Sequence, residues 1–228
     1  MLLLLLSVSG CEWKISGTAL FVRQVNRVAP GSCALPSASP SDEFVAEGVL
    51  DAKYTDAYAA TLLVGRQVLS RRNPFAPEIV LHHVEITIAD ANGDPLLRDD
   101  GAPVVIEQDL KTTIPQSSAL TFTPVDATLL KTKEIGPIVD AVHASGKPQL
   151  VISEVVLSGI GRDGSLLTTD VWEFPIEVCW GCLCQIPAEA IDPGGPPGNC
   201  DAGDTPTPPC RPGQDDLVDC RLVGRTCD

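Results

Sequence analysis

Alternating apolar and polar residues mark short stretches of this 228-residue chain, and turn-forming residues separate them. The clearest stretch is Val80–Ala89, in which Val84 and Ile86 alternate with Glu85 and Thr87. Since successive side chains of a strand point to opposite faces, this pattern predicts a strand with one face buried and the other exposed. Such strands are typical of antiparallel sheets that pack one face on a core.

Six further stretches are rich in Val, Leu and Ile and are predicted to be strands. They are Val45–Asp51, Ala57–Val68, Val104–Leu110, Ala119–Phe122, Gln149–Ile160 and Leu166–Val178. Asn92-Gly93 predicts a turn after Val80–Ala89, and Asp163-Gly164 predicts a hairpin loop between the last two strands. Pro175 lacks a backbone donor, so the second arm of that hairpin should contain a bulge or lie at a sheet edge.

One segment has the period of a helix. In Thr128–Ala144, apolar residues such as Leu130, Ile138 and Val142 recur at multiples of four, which predicts an amphipathic helix. Gly136-Pro137 should interrupt or start it, because Pro is tolerated in a first turn. Gly146 should end it.

About seven strands with one helix predict a mainly β protein. The arrangement resembles an immunoglobulin/fibronectin III-like two-sheet sandwich with one short helix, followed by an irregular disulfide-rich C-terminal tail. The likeness is architectural, since the chain has no Cys–Trp–Cys signature of antibody domains. A sandwich of this kind implies no particular function.

The apolar N-terminal run ends in Leu5-Leu6-Ser7-Val8-Ser9-Gly10-Cys11, which resembles the lipobox of bacterial lipoproteins. The resemblance implies a signal peptide over residues 1–10, a diacylglyceryl group on Cys11 and anchoring in the bacterial cell envelope. Glu12 is not the Asp associated with inner-membrane retention, so the outer membrane is favoured, at its periplasmic or surface face. Met1 runs straight into leucines without the basic residues of a secretory signal, so the signal peptide is expected to be truncated.

Charge limits the partners. The formal net charge is −14, and an acidic surface repels nucleic acid and anionic lipid head groups. We therefore expect no nucleic-acid partner, and membrane contact only through the N-terminal lipid. An envelope protein is the further partner that we expect.

The chain has nine cysteines, an odd number. A lipid on Cys11 would leave eight disulfide candidates: Cys33, Cys179, Cys182, Cys184, Cys200, Cys210, Cys220 and Cys227. Eight cysteines allow 105 connectivities, and their number favours an oxidising compartment. The Cys200-x9-Cys210-x9-Cys220-x6-Cys227 pattern resembles the Cys-rich ends of uncharacterised myxobacterial-type lipoproteins.

Composition divides the chain into four parts. Residues 1–10 are the expected signal peptide, and residues 11–42 a tether that is rich in Pro and Ser near its end. Residues 43–178 are the expected sandwich, and residues 179–228 a tail rich in Cys, Pro and Gly that only crosslinks or docking could order. An alternative for Trp13–Asn26 is a first strand or a small cap on the sandwich.

Cys179-Trp180-Gly181-Cys182 is a C-x-x-C motif that could support thiol redox chemistry. It lacks the strand-to-helix context of thioredoxin-like proteins, so structural disulfides are favoured. Cys184 extends the motif toward a zinc site, but oxidation competes with metal binding in an exported protein. We predict no metal at these cysteines.

Other polar groups offer weaker candidates. Asp90–Asp94 spaces oxygen ligands like an EF-hand, but Pro95 stands where that loop needs Gly, and Gly101 where it needs Glu. A looser Ca²⁺ site stays open, either here with Asp99 and Asp100 or in the tail with Asp215, Asp216 and Asp219. His82-His83 should point to opposite faces of a strand and so should not ligate one metal together.

No nucleophile, base and orienting group occur in a recognisable set. We therefore expect a non-catalytic, envelope-anchored binding or scaffolding module without a cofactor, and not an enzyme. Two alternatives stay open: a thiol-redox protein that uses Cys179 and Cys182, and a Ca²⁺-stabilised envelope module.

Overall fold

The computed structural model describes residues 18–28, 33–34, 38–40, 44–68, 78–117, 120–191, 200, 206–224 and 227. These residues form strands β1 (Thr18–Asn26), β2 (Phe44–Val45), β3 (Gly48–Asp51), β4 (Ala57–Val68), β5 (Ile79–Asp90), β6 (Val105–Ile114), β7 (Thr121–Lys131), β8 (Gln149–Gly161), β9 (Leu166–Thr168), β10 (Trp172–Cys179), β11 (Cys184–Gln185) and β12 (Val218–Asp219). Helix α1 spans Gly136–Ser145, and single 3-10 turns cover Thr132–Ile135, Ala188–Ala190 and Cys220–Leu222. None of these helices has the length and apolar character needed to cross a membrane.

Two main sheets share one core. The first has the order β2-β1-β4-β7, and the second β3-β10-β8-β5-β6 with β9 also paired to β8. Leu62 of β4, Ile86 of β5 and Val155 of β8 are fully buried in the same apolar cluster. The prediction of a mainly β protein with one short helix is therefore confirmed, and its sheets are consistent with a sandwich.

The period-2 pattern predicted the central strands well. β4 has the predicted bounds, and β5 extends the predicted strand by one residue at each end. Val84 and Ile86 are fully buried while Glu85 is exposed, as alternation requires. Gly93 follows in a left-handed turn with φ of 87°.

The stretch Val45–Asp51 is not one strand. β2 pairs with β1 in the first sheet, whereas β3 runs parallel to β10 in the second. The chain crosses between the sheets at residues 46–47. Gly48 allows the crossing to end close to the core, because the Tyr58 ring occupies the space that a side chain would need.

The predicted helix over Thr128–Ala144 is wrong in its first half. β7 continues to Lys131, and α1 begins only at Gly136 after a 3-10 turn. Burial explains the difference, since Ala127 and Leu129 alternate into the core at the strand period. The end of the helix is as predicted, because Gly146 adopts φ of 63° and donates its N–H to the Val142 carbonyl.

The second arm of the predicted hairpin is interrupted. β9 and β10 both pair with β8, but Thr169 separates them and bonds Leu157 through its backbone N–H and its hydroxyl oxygen. Pro175 lies in β10 one residue before pairing with β3 begins. On the β3 side, Pro175 therefore lies at an edge where β10 is locally unpaired. Its pairing with β8 on the other side contains no bulge.

Part of the predicted tether belongs to the sandwich. β1 lies between β2 and β4, and its Leu20, Val22 and Val25 are buried. The tether prediction is therefore wrong for residues 18–26, and the alternative of a first strand describes them. The short apolar stretch at residues 19–22 was enough for burial once β4 provided a partner.

The direction of β1 defines the two ends of the sandwich. β1 begins opposite Val68 and ends at Asn26 opposite Thr61, roughly 26 Å away at about 3.3 Å per residue. The C-terminal tail packs at the Asn26 end, where Arg27 forms a 3.0 Å ion pair with Asp216. Helix α1 lies at this end as well, next to β10. We call α1 and the described residues of 180–227 the tail cap.

Replacing Gly48 by Ala should destabilise the sandwich. The new Cβ would lie 2.5 Å from the ring of Tyr58, which is fully buried and hydrogen-bonded to Asp215. We expect the free energy of unfolding to fall by about 1–3 kcal/mol, measured as a lower midpoint in thermal denaturation. Gly136→Ala is the matched control, since nothing lies within 4 Å of its Cβ position. Equal stability of the two variants would contradict the close contact.

Candidate functional site: the crosslinked tail cap

All eight cysteines predicted to form disulfides are paired. The bonds are Cys33–Cys210, Cys179–Cys182, Cys184–Cys227 and Cys200–Cys220. Cys33–Cys210 joins the segment after β1 to the tail across 177 residues of sequence. The lipobox residue Cys11 lies outside the described residues, as do residues 1–10 and Glu12.

The tail also adds backbone hydrogen bonds to the edge of the second sheet. Asp51 at the end of β3 donates its N–H to the Gly213 carbonyl at 2.8 Å, and Asp215 donates to the Val49 carbonyl at 3.1 Å. Within the tail, β11 and β12 pair in parallel. The tail is thus ordered by crosslinks together with docking, as its composition predicted.

The C-x-x-C loop is held by one buried carboxylate. Asp51 accepts backbone N–H groups from Gly181 at 2.7 Å, Leu183 at 2.9 Å and Lys53 at 3.2 Å. Asp51 is fully buried, so these bonds replace the water that its carboxylate loses on folding. The loop turns at Gly181, whose φ of 75° is a conformation that favours glycine.

This environment is unfavourable for thiol redox chemistry. A reactive cysteine needs positive charge or a helix N-terminus close to its sulfur. Here an Asp51 oxygen and the sulfurs of Cys179 and Cys182 lie within 4.8 Å of one another, and a carboxylate opposes formation of a nearby thiolate. Cys179 is buried as well. The two cysteines are bonded to each other, so they offer no thiolate to zinc.

A second, half-buried carboxylate connects the tail to β3 and β4. Asp215 accepts the Val49 N–H at 2.8 Å and the Tyr58 hydroxyl at 2.7 Å. The preceding Gln214 accepts the Ala59 N–H and donates to the Ala59 carbonyl, at 2.9 and 2.6 Å. The pairing of β1 with β4 stops at Thr61, so the Gln214 amide bonds strand positions beyond the end of β1.

Burial changes the ionisation of this pair. Loss of solvent raises the pKa of Asp215 above its ordinary value, although the hydrogen bonds from Val49 and Tyr58 oppose that shift. The pKa of Tyr58 is raised first by burial and then by the charge of Asp215. The cavity beside them measures about 20 Å³, which is room for about one water molecule. Asp215 and Tyr58 thus have a structural role, in which they connect the tail to β4.

Aromatic stacking joins α1 to the C-x-x-C loop. The rings of His143 and Trp180 stack with centroids 4.2 Å apart. His143 lies in the last turn of α1, so the stack brings the end of the helix against the loop. Trp180 is still 36% exposed, so the stack contributes an apolar patch to the surface of the tail cap.

The proposed calcium-binding carboxylates are bonded to protein groups. Asp90 accepts the backbone N–H groups of Asn92 and Asp94, and these bonds lower the pKa of Asp90. Asp100 accepts the N–H of Ala102. In the tail, Asp219 forms a 2.6 Å ion pair with Arg221, which lowers the pKa of Asp219.

The prediction for the adjacent histidines is wrong. A β-bulge between Leu81 and His83 shifts the register of β5 against both neighbouring strands. His82 and His83 are both half-buried, and Val84 is again fully buried. The bulge therefore turns His83 to the outer face of the sheet, together with Glu85.

Asp51, Tyr58 and Gln214 were missed at the sequence level. Asp51 stands at the end of a predicted strand, and nothing in its spacing indicates that a distant loop binds it. Asp215 was considered only as a calcium ligand. The position of Asp215 beside Gln214, in a tail with few apolar residues, was the available signal that the tail docks on the sandwich through polar side chains.

No protein-family model and no curated protein matches this chain. The X-ray structure of Northeast Structural Genomics Consortium target SoR45 has a TM-score of 0.33 and 13% identity, over 70% of this chain and 86% of that chain. The solution structure of a putative late embryogenesis abundant (LEA) protein has a TM-score of 0.39 and 11% identity, over 73% of this chain and 74% of that one. Both TM-scores are below 0.5, so neither likeness supports an inference.

Asp215→Asn should change how stability depends on pH. A carboxyl whose pKa is raised on folding stabilises the protein at acid pH and loses that contribution as pH rises through the folded pKa. Asn removes the titration and keeps an oxygen acceptor for Val49. Its NH₂ group would donate to the Tyr58 hydroxyl oxygen, in place of the carboxylate oxygen that accepts from Tyr58, and Asn tolerates the φ of 59° at this position. The melting temperature of the variant minus that of the native protein should therefore rise between about pH 3 and about pH 7.

Asp216→Asn is the control, because it removes the neighbouring tail charge, which pairs with the exposed Arg27. The account is contradicted if Asp215→Asn shows a flat or falling difference, or the same profile as Asp216→Asn.

Proposed function

We propose that this protein is an exported, lipid-anchored and non-catalytic module of the bacterial cell envelope that binds or scaffolds another envelope protein. The pairing of the cysteines carries the proposal. Four disulfides use eight of the nine cysteines and leave Cys11 without a partner among them. Cys11 is also the residue to which the lipobox resemblance assigns the lipid. Disulfides persist in oxidising compartments, and Glu12 favours the outer membrane.

The position of β1 supports a short anchor. Six residues, 12–17, separate Cys11 from Thr18, and they span at most roughly 25 Å when extended. A lipid on Cys11 would therefore hold the sandwich close to the bilayer. The tail cap lies at the opposite end of β1 and would face away from the membrane.

The tail cap has properties of a docking surface. Trp180, Ile191 and Leu217 remain 36%, 53% and 55% exposed on a segment that disulfides hold in place. Exposed apolar side chains on a rigid frame favour contact with a protein partner. This supports binding at the membrane-distal end.

The two alternatives have less support. Thiol redox chemistry would place a thiolate beside the buried carboxylate of Asp51, without a helix N-terminus at the motif. A calcium-stabilised module would need free carboxylate oxygens, and those of Asp90, Asp215 and Asp219 accept hydrogen bonds from protein donors.

Strand order supports a fibronectin III- or immunoglobulin-like sandwich. In the strand lettering of immunoglobulin domains, β1, β4 and β7 correspond to strands A, B and E, and they are neighbours in the first sheet. Those assigned as C, F and G (β5, β8, β10) are neighbours in the second. Immunoglobulin constant-type domains divide these six strands in the same way, but their strand D lies in the first sheet, whereas β6 lies beside β5 in the second. Such sandwiches occur in many cell-surface domains, in agreement with a binding role.

The lipid anchor is tested by expressing the gene from its own start in a Gram-negative host. Intact mass should show loss of residues 1–10 and a diacylglyceryl adduct on Cys11, and the protein should enter the detergent phase. Cys11→Ala should leave it in the aqueous phase with an unchanged melting temperature, because no disulfide includes Cys11. An intact Met1 with an unmodified Cys11 would refute the anchor.

The binding surface is tested by photo-crosslinking in intact cells. A photoreactive residue at Leu217 of the tail cap should yield a discrete adduct with one envelope protein. The same residue at Leu166, which is 68% exposed at the other end of the sandwich, is the control. Adducts of equal yield at both positions, or none at Leu217, would contradict a membrane-distal binding surface.

A further inference from the structure

A histidine and two glutamates converge on the outer face of the six-stranded sheet. His83 and Glu85 lie on β5, and Glu107 lies on the neighbouring edge strand β6. One ligand atom from each residue lies within 4.8 Å of the other two. A tetrahedral Zn²⁺ ion with bonds of about 2.0–2.1 Å holds its ligand atoms roughly 3.4 Å apart, so small side-chain rotations would complete the geometry.

The bulge in β5 is what brings His83 into this cluster. Without it, His83 would follow Leu81 into the core, since residues two apart share a face of a strand. The register shift instead places His83 opposite Asp109 of β6 and Ser158 of β8. Bulges commonly re-aim a side chain at functional sites.

The two glutamates face each other directly. Glu85 and Glu107 are register partners on antiparallel strands, and like charges at such positions are destabilising. Among the described residues, no lysine or arginine forms an ion pair with either glutamate. A divalent cation would neutralise the pair and link the edge strand to its neighbour.

We propose that His83, Glu85 and Glu107 form a surface site for a divalent first-row transition metal ion, with Zn²⁺ as its representative. The imidazole nitrogen selects for such ions, whereas Ca²⁺ and Mg²⁺ favour all-oxygen sites. Water would complete the coordination shell of these three ligands. Neither the lipid anchor nor the binding role of the tail cap is needed for this site.

Two other groups of potential ligands occur among the described residues. They are Asp51 with Cys179 and Cys182, and Asp219 with Cys200 and Cys220. In both groups the sulfurs are bonded to each other as disulfides, so they cannot bind zinc as thiolates. The cluster around His83 differs from them because none of its potential ligand atoms belongs to a disulfide.

Isothermal titration with ZnCl₂ tests the site in the full chain, purified without a histidine tag and with any free thiol alkylated. One saturable site is expected, together with a rise in melting temperature. His83→Ala and Glu107→Gln should each weaken zinc binding by about tenfold or more, since even second-shell changes cost about 10–100-fold. Addition of Mg²⁺ or Ca²⁺ at equal concentration should leave the zinc affinity unchanged.

Two matched variants separate this site from non-specific binding. His82→Ala removes the adjacent histidine at the bulge. Glu173→Gln breaks the Glu154–Glu173 pair, which is also directly opposed but belongs to none of the three groups of potential ligands found among the described residues. Both should bind zinc like the native protein. Absence of a saturable site, equal loss in His82→Ala, or displacement by Ca²⁺ would overturn the proposal. A circular dichroism spectrum of the conservative Glu107→Gln variant that matches the native spectrum shows that its loss of affinity does not result from unfolding.

Discussion

Covalent closure of the C-terminal tail onto the end of the sandwich is the constraint on which the rest of the structure depends. The described residues of the tail form a small apolar cluster of four cysteines with Ala190 and Ile186, and they bury Leu183 and Val218 besides. Such a segment cannot offset the conformational entropy lost on ordering it. Each disulfide contributes about 2–4 kcal/mol, largely by restricting the unfolded chain, and the four bonds together make an ordered tail possible.

Two carboxylates, one fully buried (Asp51) and one half-buried (Asp215), then give the closed tail a defined position. Asp51 of β3 holds the loop that leaves β10, and Asp215 of the tail bonds back to Val49 and Tyr58. Each is costly to bury and is compensated only when all of its donors are in place. This requirement selects one arrangement of the tail. It also keeps β3 paired with β10, so the cap and the sheet edge are stabilised together.

The local pattern of the sequence predicted the elements whose environment is simple. Ala57–Val68 and Val80–Ala89 were identified because a strand buried in a sheet has one dominant period. The same rule failed at Val45–Asp51, where the chain changes sheets, and at Leu129, where a strand period was hidden within a helical one. The bulge before His83 was not predictable, because it depends on the register of both neighbouring strands.

Cysteine counting predicted which residues are crosslinked but not how they pair. Pairing depends on where the tail meets the segment after β1, and Cys33–Cys210 joins residues 177 positions apart. The hydrogen bonds of Asp51 and Asp215 between the tail and the sheet depend on the same long-range approach. Local sequence holds no signal for it, whereas the low apolar content of the tail does indicate that something else must order it.

Non-reducing peptide mapping by mass spectrometry, on protein exported from its own gene, tests the central claim most directly. The account predicts four linked peptides, containing Cys33–Cys210, Cys179–Cys182, Cys184–Cys227 and Cys200–Cys220, and a lipid-modified Cys11 outside all of them. Free thiols in the tail, or a disulfide that includes Cys11, would contradict it.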